Sequence, residues 1–357
     1  MKIIFLTQKL SGLTGGILYD TILYERLKSA IGDESVNLIT DDIFDNEYNH
    51  ENAHYKRFNK VYKKHADEIL NCDYLIINSR CYTCFLSFPW KRNKKCHLIL
   101  IHHHFNFMTQ NNYFKYYIHK YLELSFLKRA TAIITPNKYT MYMLKQEQIR
   151  ERVILLEAYL NNTLKKYDVV KKNQIFFLGT VEPRKGVDIG IDVFYRFQKH
   201  VSGYKFIIAG TFDEKKTFCQ KLLRKVREYN LENQVIFLGR VDDMEKERLY
   251  QESKVFLFPS QNEGYGWVMV EAMSYGLPVI AFDNTAMPYT VNNNNGALIP
   301  NRDIDKMVMA LERILGDTQE YDRVSNGAKK TVLELPSEEE ITKEYDIFMQ
   351  QLKEFTI

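Results

Sequence analysis

The stretch FLFPSQNEGYGWVMVEAMSYGLPVIAF, residues 256–282, constrains the fold more than any other part of the sequence. It begins within an apolar, β-prone run, Val255–Phe258, of the kind that forms a strand buried on both faces. The pattern then predicts a loop and a helix from about Trp267 to Tyr275, which Gly276 ends. A second buried strand, Val279–Phe282, follows at once. Strand, helix and strand in this order are typical of a parallel α/β sheet.

Two carboxylates lie in this stretch, Glu263 in the loop and Glu271 in the helix. Gly264 and Gly266 allow a ligand to approach the backbone closely. The N–H groups at Gly266–Met269 are expected to lack helical partners, and such a helix start binds anions. Carboxylates accept hydrogen bonds from hydroxyl groups. A ligand that carries sugar hydroxyls beside phosphates therefore matches the stretch.

Glu263-x7-Glu271, set in PS-x-x-E-G-x-G and E-A-M-x-x-G-x-P-V, resembles the signature of retaining glycosyltransferases of family four. The resemblance implies the α/β fold called GT-B, with two Rossmann-like, doubly wound parallel-sheet domains that face a cleft. It also implies transfer of a sugar from a nucleotide-diphosphate sugar, most simply a UDP- or GDP-sugar. The reaction would need no divalent metal and no cofactor, with front-face attack and the leaving phosphate as base.

The β-α alternation extends over the rest of the chain, whose 357 residues suit two domains. We assign residues 1–165 to an N-terminal acceptor domain and residues 172–337 to a C-terminal nucleotide-sugar domain. The segment Asn161–Lys172 lacks apolar periodicity and is interpreted as the linker. The resemblance implies that a last helix, about 338–357, crosses back to the first domain.

In the first domain a predicted strand, Lys2–Leu6, precedes a turn that contains Gly15 and Gly16. The resemblance implies that these glycines touch the acceptor or the diphosphate. Further on, His102 and His103 follow a predicted strand at its carboxyl end, where α/β proteins bind ligands. By resemblance one of them contacts the donor sugar, and we slightly prefer His102. Three adjacent histidines do not share one face, so we predict no metal site.

In the second domain the segment GTVEPRKG places Arg184 and Lys185 just before a predicted helix, which makes a second anion site. The family pattern here is G-R-x-x-x-x-K-G. Thr180 replaces its arginine, Lys185 keeps its lysine, and Arg184 supplies the missing charge. The resemblance assigns the catalytic set Glu263, Lys185, Arg184, His102 and His103. It assigns donor binding to Glu271, Gly179, Thr180, Gly264, Tyr265, Gly266 and Arg240.

The predicted function is glycosyltransfer, of hexosyltransferase type, to a glycan or glycolipid acceptor in the synthesis of cell-surface polysaccharide, lipopolysaccharide or glycolipid. The alternatives are a nucleotide-sugar epimerase or hydrolase of the same fold and a catalytically silent binding subunit. A nicotinamide dehydrogenase ranks last, because the glycine-rich turn lacks the G-x-G-x-x-G spacing.

Charge is distributed unevenly along the chain. Residues 1–170 hold 24 Lys+Arg and 17 Asp+Glu, a balance of +7, while the remainder balances at −3. Two predicted helices in the basic half, Asn52–Leu70 and Tyr113–Arg129, combine tyrosines with lysines. Such helices suit an anionic membrane surface, but a solvated helix packed on its sheet explains them equally well, and both interpretations stay open. We expect no nucleic-acid partner.

The sequence has no apolar run of eighteen residues, so we predict no membrane-spanning helix. Its five cysteines give no disulfide framework, which favours a reduced, cytoplasmic setting. Cys81 and Cys84 form an isolated CxxC, for which an inert role is preferred. The predicted location is the cytoplasm, with the inner face of the membrane as a docking surface.

Overall fold

Two six-stranded sheets, parallel throughout, carry the fold in a computed structural model of the chain. The structure describes residues 1–7, 10, 15–40, 65–79, 96–110, 112–149, 152–158, 163–165 and 169–354. Two units are distinguished, and each is compact. The first comprises Met1–Tyr159 with Ser337–Ile357, and the second comprises Leu160–Pro336.

The first unit contains one sheet with strand order β2-β1-β3-β4-β5-β6. Its strands are β1 Ile3–Thr7, β2 Val36–Thr40, β3 Tyr74–Asn78, β4 His97–Ile101, β5 Ala132–Thr135 and β6 Arg152–Leu155. Its helices are α1 Gly15–Ile31, α2 Tyr113–Leu127, α3 Lys138–Gln146 and, from the chain end, α10 Glu338–Glu354. Of the predicted helix Asn52–Leu70, residues 65–70 are helical and the rest lies outside the described residues, as do Cys81 and Cys84.

The second unit contains the other sheet, with strand order β12-β11-β10-β7-β8-β9. Its strands are β7 Gln174–Leu178, β8 Lys205–Ala209, β9 Val235–Gly239, β10 Val255–Phe258, β11 Val279–Asp283 and β12 Gly296–Pro300. Its helices are α4 Val187–Gln198, α5 Thr217–Glu228, α6 Asp243–Glu252, α7 Trp267–Ser274, α8 Ile304–Gly316 and α9 Thr318–Leu333.

The central strands of both sheets are apolar at nearly every position because helices cover both of their faces. β1, β3, β5 and β10 are buried throughout, whereas the edge strands β2 and β9 expose part of their length. Continuous apolar runs therefore marked the central strands in the sequence. The prediction of two doubly wound α/β sheets is confirmed.

The strand order fixes where a ligand binds in such sheets. In a doubly wound sheet the chain reverses direction at one point, and the loops at the carboxyl ends of the two strands there diverge to leave a crevice. In the second sheet that point lies between β7 and β10, and in the first it lies between β1 and β3. The loops after these four strands are the places to look for functional side chains.

The described part of the predicted linker packs on the second unit. Lys171 Nζ donates to the carbonyl oxygens of Gln251 and Ser253, at the end of α6. Lys172 N donates to Glu252 O at 2.7 Å. Burial lowers the pKa of Lys171 to about 7. A segment without apolar periodicity is thus anchored by backbone and ammonium hydrogen bonds, which hydrophobic patterning does not reveal.

Helix α10 belongs to the first unit, where it buries one apolar face. Tyr345 is 1% exposed, and the guanidinium of Arg26 in α1 lies 4.7 Å from the centre of its ring. Tyr74 in β3 donates its hydroxyl hydrogen bond to Leu352 O. The last helix therefore completes the core of the unit in which the chain begins.

Two helical glycines offer a matched test of the packing in the second unit. A Cβ at Gly327 in α9 would lie 1.8 Å from Asn294 O, whereas a Cβ at Gly316 would meet nothing within 4 Å. We expect Gly327→Ala to lower the free energy of unfolding by about 1–3 kcal/mol through overpacking. Gly316→Ala should stay within about 1 kcal/mol of wild type. Urea unfolding measures both, and equal effects would contradict this packing.

Candidate functional site

The centre of the candidate site is the carboxylate of Glu263, in the loop after β10. The residue is 7% exposed. Its Oε1 accepts a hydrogen bond from Lys185 Nζ at 2.6 Å and another from Ser260 Oγ at 2.6 Å. Lys185 lies in the loop after β7, so the contact joins the two strand ends at the switch point of the sheet. A buried charge requires such partners, because removing it from water without them is costly.

A close backbone approach brings Lys185 to Glu263. Pro183–Lys185 form a single turn of 3-10 helix that ends at Gly186, whose φ is 67°. A Cβ on Gly186 would lie 2.0 Å from Pro259 O, at the end of β10. Only glycine fits both the left-handed conformation and that distance. Gly186 therefore lets the two loops touch.

Arg184 lies on the same turn but is held mainly by other groups. Its NH1 donates to Asn262 O at 2.6 Å, and its NH2 donates to Glu182 Oε1 at 2.7 Å. NH1 also lies 3.5 Å from Glu263 Oε1, which is an ion pair rather than a hydrogen bond of good geometry. The side chain is 39% exposed, so one cation of the pair predicted from sequence still faces solvent.

A third strand end supports the Glu263 loop. The backbone N–H of Glu263 donates to Thr285 Oγ1 at 3.0 Å, and Thr285 Oγ1 donates to Asn284 Oδ1 at 3.1 Å. Both residues follow β11, and Thr285 has a φ of 45°, which is uncommon for a β-branched residue. Asn284 Nδ2 also donates to Ser260 O at 3.3 Å. The loop is therefore fixed from both sides, and sequence reasoning missed Ser260 and Thr285.

These partners set the charge of Glu263. Burial alone would raise the pKa of its carboxyl group, but Lys185, Arg184 and the two hydrogen bonds outweigh burial and lower the pKa. Glu263 is thus a carboxylate at neutral pH. One of the three N–H groups of Lys185 Nζ donates to this carboxylate.

Helix α7 starts at the same loop. Gly266 precedes it with a φ of 77°, and a Cβ there would lie 2.4 Å from Met269 Cε. Met269 N donates to Gly266 O, so Met269 is paired within the first turn and leaves the set of unpaired N–H groups that the sequence predicted. The eight-residue helix still presents the positive end of its dipole beside Glu263.

Glu271 lies on α7 and is 42% exposed, although its neighbours Val270 and Ala272 are buried. Its Oε2 accepts from the hydroxyl of Tyr250 at 3.1 Å and lies 4.0 Å from Lys246 Nζ. Burial and the charge of Glu271 raise the pKa of Tyr250 well above its ordinary value, so this phenol stays a donor. Both side-chain contacts of Glu271 found among the described residues use Oε2.

The remaining predicted residues of this unit fall into two groups. Gly179 adjoins the cluster, since a Cβ there would lie 3.8 Å from Lys185 Cδ. Gly264 and Tyr265 are half-buried in the Glu263 loop. Thr180 is exposed. Arg240 is also exposed and directly follows β9, which is the edge strand next to β8. The structure therefore joins Gly179, Gly264 and Tyr265 to the cluster and leaves Arg240 at the sheet edge.

In the first unit the two histidines have different surroundings. His102 is completely buried, its Nδ1 lies 2.6 Å from Ser79 Oγ, and its pKa is lowered to about 3 by burial and by His103. His103 is 11% exposed and lies beside Gly16, where an added Cβ would be 3.9 Å from its Nε2. The geometry therefore favours His103, and our slight preference for His102 has no support in its burial. Gly15 begins α1 at the same place.

No group of three or more His, Cys, Asp or Glu side chains that could hold a metal ion is found in the described parts of the chain. The same parts include no helix long and apolar enough to cross a bilayer.

The second unit resembles a known protein family. Residues 162–331 match the family described as glycosyl transferases group 1. The match covers nearly all of this unit and includes Lys185, Glu263 and Glu271. This part of the chain is therefore similar to group 1 glycosyltransferases, as the sequence-based resemblance led us to expect.

Three individual proteins extend the comparison. An uncharacterized glycosyltransferase of Haemophilus influenzae is 26% identical over 237 residues, 65% of this chain and 64% of the relative. The poly(ribitol-phosphate) alpha-N-acetylglucosaminyltransferase of Staphylococcus aureus is 24% identical over 290 residues, 80% of this chain and 56% of that protein. The crystal structure of HepE from Anabaena in complex with UDP-glucose superposes with a TM-score of 0.73 at 18% identity, covering 99% and 100% of the chains.

The structural likeness shows that the chain has the GT-B fold, as predicted. The aligned region spans just under two thirds of the Haemophilus influenzae relative and a little over half of the Staphylococcus aureus relative.

The Glu263 ion pair predicts a specific pH dependence of stability. Because the pKa of Glu263 is lower in the folded chain than in the unfolded chain, its stabilisation is present above the unfolded pKa of about 4.3 and disappears as pH falls through the folded pKa. We expect Glu263→Gln to lower the free energy of unfolding by about 1–3 kcal/mol at pH 7. The difference from wild type should shrink below about pH 4.

Glu182→Gln is the control, because it removes a carboxylate that is 40% exposed and whose ionic partner among the described residues is Arg184. It should cost less than about 1 kcal/mol. Urea unfolding between pH 3 and pH 8 measures both variants. A gap between wild type and Glu263→Gln that persists unchanged to pH 3 would show that the carboxylate is not held by these cations.

Proposed function

We propose that this chain is a retaining glycosyltransferase that moves a sugar from a nucleoside diphosphate sugar to a hydroxyl group of a glycan or glycolipid. The observation that carries the proposal is the Glu263–Lys185 pair at the switch point, 2.6 Å apart and beside the start of α7. The group 1 family match over the same residues supports it.

The cations of the β7 loop are the proposed diphosphate site. Lys185 keeps two donors beyond its bond to Glu263, and Arg184 is 39% exposed on the same turn. The N–H groups of Trp267 and Val268 add the positive end of α7. Together these groups would neutralise the charge that grows on the leaving diphosphate. Cations of the protein would fill this role, so the proposal includes no divalent metal.

The nucleoside is assigned to Glu271. Tyr250 binds Oε2 of this half-exposed carboxylate, and Oε1 would accept from ribose hydroxyls. We favour a UDP-sugar because HepE, which has the same fold, binds UDP-glucose. A GDP-sugar is the second donor to test.

The sugar and its reaction are assigned to Glu263 and the N–H groups of Gly264–Gly266. Because Glu263 is an anion at neutral pH, it accepts from sugar hydroxyls or stabilises positive charge that develops on the sugar ring. By resemblance the acceptor hydroxyl attacks from the face that the leaving group occupies, and the leaving phosphate takes its proton. The acceptor is proposed to be a cell-surface polymer or its lipid-linked precursor, since the Staphylococcus aureus relative is named for glycosylation of poly(ribitol-phosphate).

Glu271→Ala tests the donor site. Loss of hydrogen bonds to a charged group costs about 1.5–3 kcal/mol, so the KM for the donor should rise roughly tenfold to a hundredfold. The control is Glu312→Ala, which removes a half-buried helix carboxylate paired with His200 instead.

Thermal unfolding is recorded with UDP, GDP, ADP and dTDP and with their sugars, because a ligand that binds the folded state raises the unfolding midpoint.

Turnover is then measured in the presence of EDTA, with the nucleotide sugar that raises the unfolding midpoint most as the donor. An unchanged donor KM in a folded Glu271→Ala variant would refute the assignment of Glu271. Complete loss of turnover in EDTA, restored by Mg²⁺ or Mn²⁺, would refute the metal-free proposal. Donor cleavage without any acceptor would favour the hydrolase alternative.

We also propose that the chain docks on the cytoplasmic face of a membrane through α2. The helix buries Phe126 and Leu127, and Tyr113, Phe114 and Tyr121 are 78%, 73% and 72% exposed. Its only acidic residue, Glu123, is buried and accepts hydrogen bonds from Asn106 N and Phe107 N. Lys120 of α2 is half-buried and paired with Glu147. The exposed surface of α2 and of the two residues after it therefore combines large aromatic rings with Lys115, Lys128 and Arg129, which suits the head-group region of an anionic leaflet.

Vesicle sedimentation tests the docking. We expect binding to phosphatidylglycerol vesicles, weak binding to phosphatidylcholine vesicles, and release by salt, because lipid attraction is worth about 1 kcal/mol per cation and is screened. The triple variant Tyr113→Ser, Phe114→Ser and Tyr121→Ser should lose binding. Met244→Ser, which removes an 80% exposed side chain in the second unit, is the control. If wild type ignores anionic vesicles at low salt, α2 is only a solvated face and a soluble acceptor is favoured.

A further inference from the structure

Four polar side chains from four elements meet at the carboxyl edge of the first sheet. Thr7 ends β1, Asn78 ends β3, His103 follows β4, and Asp20 lies in α1. Asp20 Oδ2 accepts from Thr7 Oγ1 at 2.6 Å and from Asn78 Nδ2 at 3.3 Å. Asp20 Oδ1 lies 3.0 Å from His103 Nε2. The cluster occupies the switch point of this sheet, between β1 and β3.

Asp20 is completely buried, which is unusual for an aspartate. A packing role would not require a charge there, because burying a charge costs free energy unless hydrogen bonds and an opposite charge offset it. Three donors converge on its two oxygens, and one of them is a ring that can carry a proton. The network therefore has the composition of a carboxylate that orients an imidazole.

The imidazole of His103 is fixed in place. Its backbone oxygen accepts from Asn137 Nδ2 at 3.1 Å and from Thr140 Oγ1 at 2.8 Å, and the ring of Tyr19 meets its ring edge to face at 5.3 Å. Nε2 faces Asp20, and within the described residues no hydrogen bond to Nδ1 is found. Nδ1 is therefore the ring nitrogen that is left for a substrate, on a side chain that is 11% exposed.

The neighbouring histidine provides a contrast within the same unit. His102 is completely buried, with Nδ1 against Ser79 Oγ and the ring against Phe105. It has no carboxylate partner among the described residues. The two histidines thus have separate roles, His102 in the core and His103 at the surface beside the start of α1.

We propose that Asp20 is a positioning residue for His103: its carboxylate holds the proton on Nε2, so that the lone pair of Nδ1 accepts a hydrogen bond from a sugar hydroxyl of the substrate. This assignment rests on the proposed glycosyltransferase function. A carboxylate that binds one ring nitrogen of histidine selects the tautomer and makes the other nitrogen more basic.

The pH behaviour of His103 depends on the groups that face it. In the described structure these are Asp20 and Tyr19 from α1 and His102 from the end of β4. Burial raises the pKa of Tyr19 well above its ordinary value, and the pKa of His102 is lowered to about 3. Both are neutral between pH 5 and 9, so neither competes with the carboxyl group of Asp20 as an ionic partner of the ring.

Asp20→Asn tests the proposal, with Ser79→Ala as the matched control. The amide is nearly the same size, but it would donate to Nε2 and move the ring proton to Nδ1. We expect kcat/KM to fall roughly tenfold to a thousandfold, as for other histidines whose tautomer is reversed. The acid limb of the pH profile should shift to lower pH by about one unit or more, because an opposite charge no longer favours the imidazolium. Ser79→Ala removes an equally buried hydroxyl next to His102 and should leave the acid limb of the pH profile at its wild-type pH.

Nitrogen NMR of the histidine-labelled chain gives a readout that does not depend on activity. Wild-type His103 should show the tautomer protonated on Nε2, and its pKa should fall in Asp20→Asn while circular dichroism confirms the fold. The opposite tautomer in wild type, or a folded Asp20→Asn variant with wild-type kcat/KM and pH profile, would overturn the proposal. If wild type transfers no sugar, the proposed function fails, and the NMR titration still decides whether Asp20 controls His103.

Discussion

The buried carboxylate of Glu263 is the constraint on which the second unit's site depends. Because a buried charge needs partners, the carboxylate fixes Lys185 after β7 and Ser260 after β10. The backbone of the same residue is fixed by Thr285 after β11. One residue thus joins the loops of three neighbouring strands, and the start of α7 follows from the same loop. Gly186 makes the junction possible by letting the β7 loop touch the end of β10.

The first unit uses a related arrangement with a different partner. There too a buried carboxylate, Asp20, lies at the switch point and accepts from side chains of two strand ends. Glu263 is paired with the ammonium of Lys185 and the guanidinium of Arg184, groups that suit the binding of phosphate. Asp20 is paired with the imidazole of His103, a ring that can both donate and accept a hydrogen bond. The same fold therefore pairs its buried carboxylate with cations in one unit and with an imidazole in the other.

Much of the fold could be predicted because buried parallel strands are apolar along their whole length. Val255–Phe258 and Val279–Phe282 are examples, and β10 and β11 lie where the sequence placed them. Patterning failed where hydrogen bonds replace apolar contacts. The segment around Lys171 was interpreted as a linker, yet its ammonium group binds the carbonyl oxygens at the end of α6. Asp20 gave no signal, since a single aspartate in a helix is normally a solvated residue.

The sequence by itself determined the fold class and the family resemblance, and it predicted Lys185, Glu263 and Glu271 as site residues, because each lies at a recognisable spacing on a strand–loop–helix unit. Only the tertiary structure decided that His103 and not His102 reaches the surface, and that Asp20 holds it. Lys185 and Glu263 are 78 positions apart, and Asp20 and His103 are 83 apart. The physical reason is that such pairs meet only when the strand order brings the carboxyl ends of separate strands together. Local patterns constrain a residue's neighbours along the chain and leave its partners across the sheet undetermined.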